Sequence, residues 1–485
     1  MTVLAIDAGT TGVTALLVNE DGAVAARGYQ EFPQHFPQPG WVEHDPEDIW
    51  QATLSACRDA LESGPPPTAV GITNQRETAV LWDRETLAAP RRAIVWQDRR
   101  TSAICDRLRD AGSEGRVREL TGLRLDPYFT GTKLTWLAEN DRAAWSGVTD
   151  GRVVIGTVDS YLVARLTAGA VHATDPSNAS RTLLFDIVAG DWSDELCELF
   201  TVPRSALPDI RRSSGEFGRT DPAAFLGLDL PIAGIAGDQQ AALFGQACFS
   251  DGDSKCTYGT GSFVLVNTGE RVVRSDAGLL TTVAWDIGDG LVYALEGAIF
   301  VTGAAVQWLR DGLGIIASAA ESEALAASVE DSGGVVFVPA LTGLGAPHWR
   351  PEARGMILGI TRGTTSAHLA RATLEAIAYE VRDVVEVMTR DAGIAVPTLS
   401  VDGGAAANDL LCRLQADELQ VPVRRPVVAE TTALGAAFLA GLATGVWSST
   451  DDLRDTWQLD RRFEPAERDD AGYQRWQDAI ARLTR

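Results

Sequence analysis

The chain has 485 residues, 45% of them hydrophobic and 22% charged, with a formal net charge of −24. That length exceeds what one hydrophobic core serves and predicts two domains, divided here as 1–247 and 248–485. The acidic balance argues against a nucleic-acid or anionic-membrane surface, since either needs a basic patch. Any phosphate site must then be built locally, from backbone N–H groups, a metal ion and a few arginines.

Only two lysines occur, Lys133 and Lys255. Neither lies in a G-x-x-x-x-G-K-[ST] loop or a V-A-I-K strand, so those two routes to ATP are excluded. The six cysteines (Cys57, Cys105, Cys197, Cys248, Cys256, Cys412) lack C-x-x-C or Cys/His ligand spacing, which points to a reducing cytosol. No basic, then apolar, leader opens the sequence, and no apolar run approaches the ~18 residues of a membrane span. The expectation is a soluble, cytoplasmic protein without membrane insertion.

In chain order, Val3–Ile6 and Ala15–Val18 read as strands joined by Asp7-Ala8-Gly9-Thr10-Thr11-Gly12. That turn is either an ordinary hairpin or a phosphate cradle, with Asp7 placed to hold Mg2+ through water. Pro46–Leu61 reads as a helix after a Pro-rich segment holding His35 and His44, which read as loop or core hydrogen-bonders. Val70–Thr73 is a buried-type strand delivering Arg76 and Glu77, a donor fork beside an acceptor, suited either to a polyol or to a surface ion pair. Ala93–Trp96 is strand-like, and Trp96 is an apolar wall or plain core. Asp126–Trp136 passes from a Pro turn into a helix, Thr174–Thr182 reads as a polar loop and Asp209–Thr220 as a connector.

In AGIAGDQQAALFGQ (Ala233–Gln246), a strand gives way at Asp238 to a helix. An acid there either caps the helix or points into the crevice beyond the strand ends, where it could accept a substrate proton. Lys255–Val266 repeats the strand, Gly/Thr turn, strand pattern about 250 residues after the first, which suggests an internal duplication around a shared cleft. Ala298–Arg310 looks helical, with Gly303 and Gln307 one turn apart. Ala367–Thr389 reads as a long amphipathic helix. Val401–Asn408 holds a diglycine that is either a flat-ring site or a packing contact. Ala433–Ala437 opens a small-residue helix expected to cross close against Ala241–Gly245, and Asp451–Arg485 reads as a helical appendage.

Taken together, GWVEHDP (Gly40–Pro46), GITNQRET (Gly71–Thr78), TDPSNASRT (Thr174–Thr182), GIAGDQQAALFGQ (Gly234–Gln246), TYGTG (Thr257–Gly261) and QWLR (Gln307–Arg310) resemble the FGGY carbohydrate kinases. Those belong to the actin/hexokinase/Hsp70-like superfamily, and the closest resemblance is to the branch that phosphorylates glycerol. The resemblance implies an α/β fold of two duplicated ribonuclease H-like (actin-like ATPase) domains around a central cleft. It implies transfer of a phosphoryl group from ATP to glycerol, with another polyol or ketose such as erythritol or xylulose as the alternative acceptor. Carried over, Arg76, Glu77, Trp96, Tyr128, Asp238, Gln239 and Phe263 form the substrate pocket, with Asp238 as general base. Thr10, Thr11, Gly12, Thr260, Gly303, Gln307, Gly404 and Asn408 contact the nucleotide, and Asp7 and Asp238 lie at Mg2+. A homodimer or homotetramer is also implied.

The chain departs from the family pattern at three places. Thr14 stands where an arginine is usual, leaving Arg219 and Lys255 as candidate replacements. Asp98 stands where a cysteine is usual. Thr220–Leu230 lacks both the glycine-rich loop and the histidine used for control in some relatives, so no regulation by fructose 1,6-bisphosphate or by phosphohistidine is expected.

Overall fold

A computed structural model describes residues 1–483. Five strands form a first sheet in the order Ile232–Gly237, Ala69–Asn74, Thr2–Ala8, Gly12–Asn19 and Val24–Glu31. The first three run parallel, and the last two continue as antiparallel hairpin neighbours. Central strands such as Val3–Ile6 and Val70–Ile72 are continuous apolar runs because both faces are covered. A seven-stranded second sheet repeats this plan. Its order is Leu280–Asp286, Leu291–Ile299, Ser262–Gly269, Ser254–Tyr258, Leu399–Asp402, Val423–Pro426 and Leu459–Phe463. Again a hairpin (Ser254–Tyr258 with Ser262–Gly269) borders parallel strands, so the expected duplication is present.

Each sheet carries a helix on its outer face. Pro46–Ser63 starts where Asp45 accepts a bond from the Glu47 N–H with Pro46 at the first position, and it buries Ile49, Ala52, Ala56 and Ala60. Ser366–Ala392 starts with a capping box of Thr365 and His368 and stops at left-handed Gly393. Ile377, Val381 and Val384 of that helix enter the core of the second half.

Two small-residue helices, Asp238–Gly245 and Thr431–Thr444, lie between the sheets and cross at very close range, as expected. A Cβ at Gly435 would sit 1.8 Å from the Ala241 carbonyl oxygen, and one at Gly245 would sit 2.0 Å from that of Thr431. Only glycine permits this approach.

Three expected elements differ. Thr174–Thr182 is polar but not a plain loop: it holds the short helix Pro176–Ala179, and every residue in it is buried. Its polar side chains bond one another, which is why so polar a segment can go inside. Ala298–Arg310 is a strand end followed by the helix Gly303–Asp311, because Ala298 and Ile299 still pair with Phe263 and Ser262. The tail is more than an appendage, since Leu459–Phe463 adds an edge strand to the second sheet before the helix Asp470–Leu483. No described helix is long and apolar enough to cross a membrane.

Candidate active site

The register of the first sheet aligns Asp7 with Thr73 and Ala236, and Ala8 with Asn74 and Gly237. Three parallel strands therefore end in one row. Asp7, the segment Gln75–Glu77 and Asp238 all leave the sheet at its carboxyl edge, the crevice where open α/β sheets bind ligands.

At that edge Arg76 Nε lies 3.0 Å from Asp238 Oδ1. Arg76 Nη1 reaches Glu296 Oε2 at 2.5 Å and donates to Gln240 Oε1 at 3.1 Å. Arg181 donates from Nε to Glu77 Oε1 at 2.6 Å and from Nη2 to Glu296 Oε1 at 2.8 Å. Arg76 and Glu77 are thus not a surface ion pair. Burial alone would push the Glu296 carboxyl up, but the charges of Arg181 and Arg76 outweigh it and hold the pKa at about 2. Asp238 is the open member of this network: its side chain is 29% exposed, against 1% or less for Arg76, Glu77, Arg181 and Glu296.

Glu77 has φ of 63°, a conformation costly for a side chain of this size. Its carbonyl oxygen accepts from Thr130 Oγ1 at 3.0 Å and Lys133 Nζ at 3.3 Å, which holds the turn. Lys133 is buried with backbone carbonyls as partners, and burial pulls its pKa down to about 7.

Apolar walls flank the polar set. Trp96 and Tyr128 meet edge to face at 5.5 Å, and the Arg76 guanidinium lies 5.7 Å from the centre of the Phe263 ring. Gln239 follows Asp238 and accepts at Oε1 from Lys255 Nζ at 2.5 Å.

The two hairpin turns close by backbone bonds, Gly9 N–H to Gly12 O at 3.0 Å and Gly259 N–H to Gly261 O at 2.8 Å. Thr11 and Thr260 are exposed at the tips, and Thr10 Oγ accepts from Trp96 Nε1 at 2.9 Å, which ties the phosphate-type turn to the pocket wall. Gly12 is buried and faces the neighbouring strand, where a Cβ would meet Gln30 O at 2.8 Å. The helix bearing Gly303 and exposed Gln307 is docked under the second turn by Gly303 N–H to Gly259 O at 3.0 Å. The diglycine divides its two roles. Gly403, at φ 83°, packs so closely that a Cβ would lie 2.4 Å from Tyr258 O, whereas Gly404 faces open space. Asn408 caps the helix Asp409–Leu419 through Oδ1 and donates from Nδ2 to Ser322 Oγ at 3.3 Å.

Asp7 is the electrostatic outlier. Burial, then the charge of Asp238, pushes its pKa up to about 7. Asp7 has no cationic partner among the described residues and lies beside the Arg76-paired Asp238 carboxylate, an arrangement that fits Mg2+. No group of three or more His, Cys, Asp or Glu side chains converges among the described residues, so such an ion would take its remaining ligands from water and phosphate oxygens.

The departures also resolve. Arg219 is ruled out as a replacement cation: it pairs with Asp229 at 2.6 Å and bridges Pro231, at the opposite end of the strand from Asp238. Lys255 lies at the site, but its ammonium is held by Gln239 and Thr257, so neither candidate stands free as a replacement cation. Thr14 sits directly opposite Asp7. Asp98 is buried, where it accepts from Val42 N–H at 2.6 Å and pairs with Arg100 at 2.8 Å, a structural role.

Sequence reasoning missed Glu296, Arg181 and Gln240. A lone acid inside the apolar strand LVYALEGAI was the available signal for Glu296, since a buried carboxylate demands a cation.

Comparison with known proteins spans nearly the whole chain. Residues 2–245 match the N-terminal domain, and residues 254–444 the C-terminal domain, of the FGGY family of carbohydrate kinases. Glycerol kinase 2 of Thermotoga maritima is 54% identical, over 99% of this chain and 98% of its own. The glycerol kinase of Symbiobacterium thermophilum is 55% identical with the same coverage. Among solved structures, Plasmodium falciparum glycerol kinase with ADP is 34% identical and superposes with a TM-score of 0.92, over 99% of this chain and 98% of its own. The chain belongs to the FGGY family of carbohydrate kinases.

Proposed function

We propose that this chain is an ATP-dependent kinase that phosphorylates glycerol at a terminal hydroxyl, giving sn-glycerol 3-phosphate and ADP. One observation carries the chemistry: Asp238 stands part-exposed at the common end of three parallel strands, held at 3.0 Å by a buried arginine. Identity of 54–55% to glycerol kinases over nearly the whole chain supports the choice of acceptor.

In this reading Asp238 accepts the proton as the hydroxyl oxygen attacks the γ-phosphoryl group. Arg76, Glu77 and Gln239 bind the remaining hydroxyls, while Trp96, Tyr128 and Phe263 close the apolar sides and exclude water. Thr10, Thr11 and Thr260 receive phosphate oxygens from opposite turns, with Gly12 shaping the first turn and Gly303 docking its helix beneath the second. Open space at Gly404 leaves room for the nucleotide, which Gln307 and Asn408 of the second half would also contact. Mg2+ held at Asp7 and Asp238 would offset the negative charge of the phosphates. The halves 1–247 and 248–485 are taken as the two domains that close over the substrates.

The test is ADP release with ATP and Mg2+ across glycerol, erythritol, xylulose, dihydroxyacetone and no acceptor. Turnover with glycerol well above every other acceptor is expected. Preference for another acceptor, or equal ADP release without one, would overturn the reading.

A further inference from the structure

Both lysines of the chain are fully buried, although 40 further cations are all arginine. An arginine suits the surface and the ion pairs everywhere else, so these two positions ask for something a guanidinium does not supply. Lys133 serves the Glu77 turn. Lys255 lies on the strand Ser254–Tyr258 of the second half and reaches across to the first.

The Lys255 ammonium donates to Gln239 Oε1 at 2.5 Å and to Thr257 Oγ at 2.8 Å. An ammonium has donors only, so whatever faces it must be an acceptor. Of the two ways a glutamine amide can be turned, only the one with its carbonyl oxygen on Lys255 is compatible with this neighbour. The Gln239 NH2 group is thereby aimed the other way. It donates to no described residue, and it is not among the sealed-off polar atoms. The residue itself follows Asp238, whose Oδ1 accepts from the Gln239 backbone N–H at 2.7 Å.

We propose that Lys255 is a positioning residue that locks the Gln239 amide with its NH2 toward the cleft, so that Gln239 reads a substrate hydroxyl through its oxygen lone pair. The inference rests on the polyol-kinase reading above and adds its specificity device. Arg76 and Gln239 are donors while Glu77 and Asp238 are acceptors, so the pocket matches hydroxyls that donate and accept at once. A free amide could turn its oxygen to the cleft and meet the same hydroxyl as a second acceptor. The lysine removes that option. Lys255 is fully buried between Gln239 and Thr257, where the compact ammonium sits and a wider guanidinium fork would have to displace its neighbours, which accounts for lysine here in an arginine-rich chain.

The experiment compares wild-type protein with Lys255→Met, Lys255→Arg and Gln239→Glu, measuring KM for glycerol and for ATP, kcat, and inhibition constants of propane-1,2-diol and propane-1,3-diol. Each diol lacks a different hydroxyl of glycerol. In Lys255→Met, the glycerol KM should rise about tenfold, the worth of one neutral hydrogen bond, with the ATP KM within about twofold. One diol, the one without the hydroxyl that Gln239 reads, should inhibit wild type and variant equally. Lys255→Arg should not rescue. Gln239→Glu keeps the Lys255 contact and removes the donor, so it should show the same glycerol KM rise with an unchanged melting temperature, and it covers the case in which Lys255→Met folds poorly. A rise in ATP KM with glycerol KM unchanged, an equal shift for glycerol and both diols, or wild-type values throughout would overturn the proposal. Absence of glycerol turnover in the wild-type protein would instead overturn the function on which it rests.

Discussion

Arg76 of the first half and Glu296 of the second meet at 2.5 Å with side chains 1% and 0% exposed. Arg181 adds a second bond across the same boundary. The arginine proposed to hold the substrate is therefore itself anchored from the opposite half, so pocket geometry and the seating of the halves are one property. Removing one partner of a buried pair leaves an uncompensated charge and costs about 3–5 kcal/mol. Glu296→Ala should lose that much stability in urea unfolding and raise the glycerol KM as Arg76 slackens. Arg107 and Glu139 lie at the same 2.5 Å but are 55% and 44% exposed. Glu139→Ala should cost no more than about 1 kcal/mol. Distance does not separate these two pairs; burial does.

Asp238→Asn removes the proton acceptor and keeps the side-chain shape. The expected loss in kcat is about 10²–10⁴-fold, the usual worth of a positioned base. Because Asp238 is the part-exposed member of its network, its melting temperature should stay close to wild type. A variant with near-normal kcat would remove Asp238 from the chemistry, and one that fails to fold would make it structural.

The two hairpins and the acid after the third parallel strand were legible because they are local: a turn between strands, a strand end, a small-residue helix. Resemblance then assigned roles that pattern left open, as at Gly404, whose open surroundings separate it from its packed neighbour Gly403. What sequence alone did not show was pairing over long separations. From sequence, Arg76 suits either a polyol or a surface ion pair, and its partner Glu296 lies 220 residues later. Arg181 lies in TDPSNASRT, which reads as a polar loop, yet each residue is buried because Asp175, Ser177 and Asn178 satisfy one another. Polarity predicts exposure only where side chains cannot find partners of their own.

His44 links pH to the first turn. Gln75 Nε2 donates to the Gly9 carbonyl at 3.0 Å and lies 3.3 Å from His44 Nδ1, which must be unprotonated to accept it. Burial, then the nearby His35, lowers the His44 pKa from 6.5 to about 4. The unfolded chain thus binds the proton first, so this contribution is whole above pH 6.5 and is lost as the pH falls toward 4. The shift corresponds to roughly 3 kcal/mol over that window. His172, lowered by burial to about 4 as well, acts in the same range. Asp7, raised to about 7, acts with the opposite sign in this range, so the check is a difference between two proteins. Between pH 7 and pH 4.5 the urea midpoint of His44→Gln should fall less, or rise more, than that of wild type, and an equal change in both would show that His44 does not titrate there.

Gly435 tests whether the crossing of the two central helices sets the position of the base. A methyl group at this site would lie 1.8 Å from the Ala241 carbonyl oxygen, which is backbone and cannot turn aside. The helices must separate, at a cost of about 1–3 kcal/mol for overpacking. Asp238 opens one of them, one turn before Ala241, so separation also moves its carboxylate away from Arg76. Gly435→Ala is expected to lower both the melting temperature and kcat, with the ATP KM changing least. At exposed Gly445, which ends the same helix with φ of 73° and open space around it, Ala pays only the backbone strain. That variant should lose about 1 kcal/mol and keep its kcat. If both variants lose kcat alike, the close crossing is not what places Asp238.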